Sequence, residues 1–151
     1  MGYFDQLSSI KDYKKLLPPQ LEVLASDLRS QLIHEQAKNP FLGSNLGVVE
    51  LSLALHYVFH NARDKVLWDI GHQKQAYNLL AQKLNIYSDD PLATTKPGCV
   101  ISRAVGYTIS RDMRHETGDI ISVIGDISLS SGQAFEAMNH AGSLASKMIV
   151  I

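Results

Sequence analysis

Apolar residues recur at helical spacing from Gln20 to about Lys38, with Leu21, Leu24, Leu28, Leu32 and Ile33 on one face and Glu22, Asp27 and Arg29 off it. Pro18-Pro19 favours a helix start just after it, and Pro40 disfavours helix at the residue before it. Residues 1–19 read as an amino-terminal arm that ends at the two prolines. "FLGSNLG" (41–47) reads as a Gly-Ser-Asn loop in which Ser44 or Asn45 can cap the next helix. That helix, within residues 46–60, is apolar almost all round and is expected to be buried on several sides. Glu50 and His56 interrupt it.

Beyond residue 60 the pattern changes. "KVLWDIGHQ" (65–73) reads as a short buried strand running into a Gly turn, and residues 73–84 then take helical spacing. Residues 85–99, rich in Pro, Asp and Thr, read as a loop, and residues 102–115 as a helix. "DIISVIGD" (119–126) is a second buried strand, residues 130–142 a helix ending at Gly142, and "KMIVI" (147–151) a third strand. Strands that are short continuous apolar runs and alternate with helices predict an α/β fold, a parallel sheet of at least three strands covered by helices.

Composition narrows the function classes without choosing among them. The chain has 151 residues, 45% hydrophobic and 19% charged, so it can bury a core of about one domain. The net charge of −1, with no basic block, argues against nucleic acid or a membrane surface as partner. No apolar run approaches the ~20 residues that span a bilayer, and the amino terminus lacks a signal-peptide pattern. The single cysteine, Cys99, cannot form an internal disulfide and reads as a small buried or loop residue. The expectation is a soluble cytoplasmic protein.

Candidate chemistry gathers at the ends of the apolar runs. Asp126, after Ile124-Gly125, falls at the carboxyl end of a strand and the start of a helix. A carboxylate there can ligate a hard cation such as Mg²⁺; alternatively it caps the helix at 130–133. His72 stands in the same strand-turn-helix setting, where it can donate to phosphate or simply face water. Glu50 reads as a structural carboxylate serving a backbone group or a partner chain, and His140 as a helix-end imidazole favoured by the dipole. No residue is assigned a catalytic role.

Three motifs in order, "LGSNLGVVELSLALHYVF", "LWDIGHQ" and "VIGD…AFEAMNHAG", resemble the amino-terminal region of the 1-deoxy-D-xylulose 5-phosphate synthases, which are transketolase-like thiamine-diphosphate enzymes. The resemblance runs from about residue 20 to the carboxyl terminus and implies that residues 20–151 are part of a thiamine-diphosphate (diphosphate-binding) domain. The family reaction it implies condenses pyruvate with glyceraldehyde 3-phosphate, releasing CO₂, for non-mevalonate isoprenoid and thiamine synthesis. It implies thiamine diphosphate and Mg²⁺ as cofactors, with Asp126 as metal ligand and His72, Gly125, Ile127 and Ser128 at the cofactor.

The departures from the family pattern are equally specific. The family's Gly-Asp-Gly reads Gly-Asp-Ile, placing a branched side chain at Ile127. Pro40-Phe41 replaces a Gly-His, and Lys74-Gln75 replaces an Ala-Tyr. The Gly-His-Ser-Thr-Ser type segment is absent, and "KPGCVISRAVGY" joins across the gap. The family's second metal ligand, an Asn, and the domain with the cofactor-activating Glu lie beyond Ile151. These departures imply a chain inactive by itself, whose partner is a second copy or a full-length or complementary synthase chain. The alternative is the cofactor-binding half of a split enzyme.

Overall fold

The computed structural model describes all residues except 1, 61, 71–72, 87–89 and 91–95. They form two compact units, one of Met1–Phe59 with His72–Ser88 and one of His60–Gly71 with Asp89–Ile151.

The first unit is helical: α1 (Tyr3–Gln6), α2 (Ile10–Tyr13), α3 (Pro18–Gln36), α4 (Leu42–Leu46), α5 (Val49–Val58) and α6 (Gln75–Lys83). α3 starts on Pro18, where a missing N–H costs nothing, and the Gln20 side chain accepts from Leu17 N at 2.8 Å. Its buried face is Leu24, Ala25, Leu28 and Leu32, which packs with Val49 and Leu53 of α5 and Ala76 and Leu80 of α6. Ile33, expected on that face, is 50% exposed.

Where the sequence suggests an arm, the structure has α1 and α2 packed into this core. Tyr13 is fully buried and its hydroxyl donates to Leu53 O at 2.6 Å. Burial pushes the Tyr13 hydroxyl pKa up. The apolar residues of this segment are too few for a face of their own but enough to seat on α3 and α5.

The expected 41–47 loop holds α4 instead, and neither Ser44 nor Asn45 caps α5, whose N-cap is Val48. Asn45 is fully buried: Nδ2 donates to Phe41 O at 3.0 Å and Oδ1 accepts from Gln75 N at 3.1 Å, tying α4 to the start of α6. Glu50 is not buried; it faces solvent beside Arg29 at 2.5 Å, and that guanidinium lowers its pKa. The buried polar residues of α5 are Ser52, whose Oγ donates to Val48 O at 2.8 Å, and His56, stacked on Tyr77 at 4.0 Å with Nε2 3.1 Å from Tyr77 O.

The second unit is the α/β one: β1 (Lys65–Trp68), α7 (Val100–Met113), β2 (Ile120–Val123), α8 (Asp126–Leu129), α9 (Gly132–Ser143) and β3 (Ile149–Val150). The sheet is parallel in order β1-β2-β3, with Val66 opposite Ile121 and Ile121 opposite Ile149. β2 is buried along its length, as a central strand covered on both faces must be. Its core joins Leu67 and Ile120 of the sheet to Val100, Ile101 and Ala104 of α7 and Ala134 and Ala137 of α9. Alanines on α9 let it lie close against α7.

Asp64, just before β1, pins the other end of the sheet. Its side chain is 1% exposed and accepts from His60 N (2.8 Å), Asp119 N (2.9 Å) and Arg63 Nε (2.8 Å). Burial alone would raise its pKa, but these donors outweigh it and hold the carboxyl at about 2. A folded-state pKa below the ordinary 3.8 gives stability that is present above pH 4 and lost as pH falls toward 2. Acid titration of unfolding should show about 2 kcal/mol of this loss, and Asp64→Asn should remove that part of the pH dependence.

Candidate functional site

In a parallel sheet the strands deliver their functional groups to one edge, beyond their carboxyl ends. In the second unit that edge is made by Asp69 after β1, the turn from Gly125 to Ser131 after β2, and the segment that enters α7.

Asp69 is the anchor. Its N–H continues the β1–β2 ladder to Val123 O at 2.9 Å, and its side chain turns inward, 2% exposed. Oδ2 accepts from Gly98 N at 2.9 Å and Oδ1 from Val100 N at 3.1 Å. One carboxylate therefore satisfies two amides at the start of α7, where the helix dipole favours a negative charge. Gly98 reaches this position with φ +83°. A Cβ there would overlap Ser131 Oγ and lie 3.3 Å from Ser128 O, so only glycine lets the α7 entry lie against the turn after β2.

The turn itself is built locally. Gly125 has ordinary extended backbone (φ −79°, ψ 157°), so the tightness of the turn does not rest on its being glycine. Asp126 opens α8 and does not cap α9, whose N-cap is Ser131, with Oγ accepting from Ala134 N at 3.2 Å. Ser130 Oγ donates to Ile127 O at 2.7 Å. Ser128 is buried, whereas Ile127 is 82% exposed. The Asp126 carboxylate is exposed and makes no hydrogen bond or ion pair with the described residues. The structure thus brings Gly125, Asp126, Ile127 and Ser128 into one turn; His72 lies outside the described residues.

One further group lies by this edge. Arg103 of α7 pairs with Asp90, both almost fully buried, and Nη1 donates to Trp68 O at 3.4 Å. Sequence reasoning missed both Asp69 and this pair. An acid closing an apolar run was the only visible signal for Asp69, because its partners lie about thirty residues further on. In the first unit, an apolar hollow of about 290 Å³ is lined by Leu21, Ala25, Leu53 and Ala54 and by none of Gly125, Asp126, Ile127 and Ser128.

Mg²⁺ asks for about six oxygen ligands in near-octahedral array. Among the described residues no three His, Cys, Asp or Glu side chains gather. Asp126 offers one carboxylate, and both oxygens of Asp69 are engaged by backbone amides. The described side chains at this edge therefore do not fit a magnesium-held diphosphate.

The family model described as 1-deoxy-D-xylulose-5-phosphate synthase matches residues 4–89 and 87–151. The synthase of Desulfitobacterium hafniense (strain DSM 10664 / DCB-2) is 38% identical over 170 positions, covering 100% of this chain and 27% of the relative. The Carboxydothermus hydrogenoformans synthase is 36% identical over 97% of this chain, and the Syntrophomonas wolfei synthase 38% over 96%. The chain belongs to the 1-deoxy-D-xylulose-5-phosphate synthase family, corresponds to its amino-terminal region, and spans about a quarter of the length of these relatives. The alignment of 170 positions to 151 residues leaves at least 19 residues of the Desulfitobacterium protein with no counterpart here. The two family matches meet at residues 87–89, within the sequence that leads to Gly98 and α7.

Proposed function

We propose that this chain serves the synthase reaction, condensation of pyruvate with glyceraldehyde 3-phosphate, only as a docked component of a synthase assembly and is inactive by itself. The family works with thiamine diphosphate and Mg²⁺. The relatives carry most of their length outside the region matched here, so a synthase chain is the partner this reading names. No helix among the described residues is long and apolar enough to cross a membrane.

The observation that carries the reading is the outer face of α9. The helix buries Ala134 and Ala137 but turns Phe135 (68% exposed) and Met138 (37%) to solvent. Large apolar side chains exposed together on one helix face mark a surface that another polypeptide covers.

Light scattering on mixtures of the chain with a full-length synthase tests this. The expected result is a complex, with no CO₂ release by the chain alone. Phe135→Glu should weaken the complex at least tenfold while leaving the chain folded, because that ring contributes little to the core. A chain that stays monomeric beside a full-length synthase refutes docking. CO₂ release on adding a carboxyl-terminal synthase polypeptide would establish the split-enzyme alternative instead.

A further inference from the structure

Within that reading, we infer that the carboxyl edge of this sheet has become a closed structural clasp, so that the chain docks as a subunit that does not take up magnesium and diphosphate at the Asp126 turn. Three observations converge on this. Three amides at this edge are already engaged: Gly98 N and Val100 N by Asp69, and Ala134 N by Ser131. The space between the α7 entry and the turn is filled by protein, since Ser131 Oγ and Ser128 O sit where a Gly98 Cβ would go. The family match is interrupted at 87–89, in the sequence feeding that entry, and the alignment to the Desulfitobacterium synthase leaves at least 19 of its residues unmatched along the chain as a whole. At the turn itself Asp126 offers one exposed carboxylate beside Ile127, which is 82% exposed. A lone carboxylate in water competes poorly with the hydration shell of Mg²⁺, which gives up its waters reluctantly.

The experiment uses the chain as it is, with Mn²⁺ as a paramagnetic substitute for Mg²⁺. Mn²⁺ is titrated alone, with inorganic pyrophosphate and with thiamine diphosphate, and free ion is followed by electron paramagnetic resonance. The expected result is no saturable uptake below about 1 mM, which corresponds to weak binding. Uptake that is unchanged in Asp126→Asn places the ion elsewhere and leaves the inference standing. Saturable uptake in the micromolar range that Asp126→Asn abolishes overturns it. Docking is read separately by light scattering, and Asp126→Asn should leave it unchanged, so failure of the clasp and failure of docking are distinguishable.

Discussion

Asp69→Ala should destabilise the α/β unit by about 2–5 kcal/mol, one of the largest effects of any single side-chain truncation on this edge. The carboxylate is buried and is the acceptor for two amides, Gly98 N and Val100 N. Leaving a buried donor unpaired costs about 1–3 kcal/mol each, and the α7 dipole loses the charge that faces it. Asp69→Asn keeps one acceptor oxygen but turns an NH₂ toward the other amide, so it should recover only part of the loss. The single tryptophan, Trp68, is 4% exposed in β1, so its fluorescence follows this unit during urea unfolding. Hydrogen exchange supplies the local readout: the Gly98 and Val100 amides should exchange faster in the variant relative to Ile121 in the central strand. A change below 1 kcal/mol would mean that water replaces the carboxylate and that the edge is open.

The order and type of the α/β elements were legible in the chain because each strand is a continuous apolar run next to a helical stretch. Ile120 to Val123 could hardly be anything but a central strand. What the pattern missed were features that depend on residues distant in sequence. Asn45 looked like a helix cap because its neighbours are Gly and Ser, but its amide is claimed by Gln75, thirty residues on. Glu50 looked buried because its helix is apolar; Arg29 on α3 instead holds it at the surface. Asp126 kept two meanings in the sequence, cation ligand or cap, and Ser131 takes the cap. The family itself was legible, since its motifs are local and ordered. The fate of the diphosphate edge was not, because it turns on where Asp69 and Gly98 meet.

Gly98→Ala should be about as damaging as Asp69→Ala, for a different reason. Its φ of +83° lies in the region that L-residues avoid, at a cost of roughly 1–2 kcal/mol. The added methyl also overlaps Ser131 Oγ, and packing strain of this kind costs typically about 1–3 kcal/mol. Together these give roughly 2–5 kcal/mol, which for a chain of this size lowers Tm by about 10 °C. The two costs are separable. Ser131 can yield by changing rotamer, but only by releasing Ala134 N, so the strain passes into the first turn of α9. In a Ser131→Ala background the cap is already lost and the hydroxyl is gone. There the glycine substitution should cost about 1–2 kcal/mol less than in the parent chain, a coupling that a double-mutant cycle on Trp68 fluorescence resolves. Strict additivity would show that residues 98 and 131 do not touch, and the clasp at the carboxyl edge would then have no closing contact.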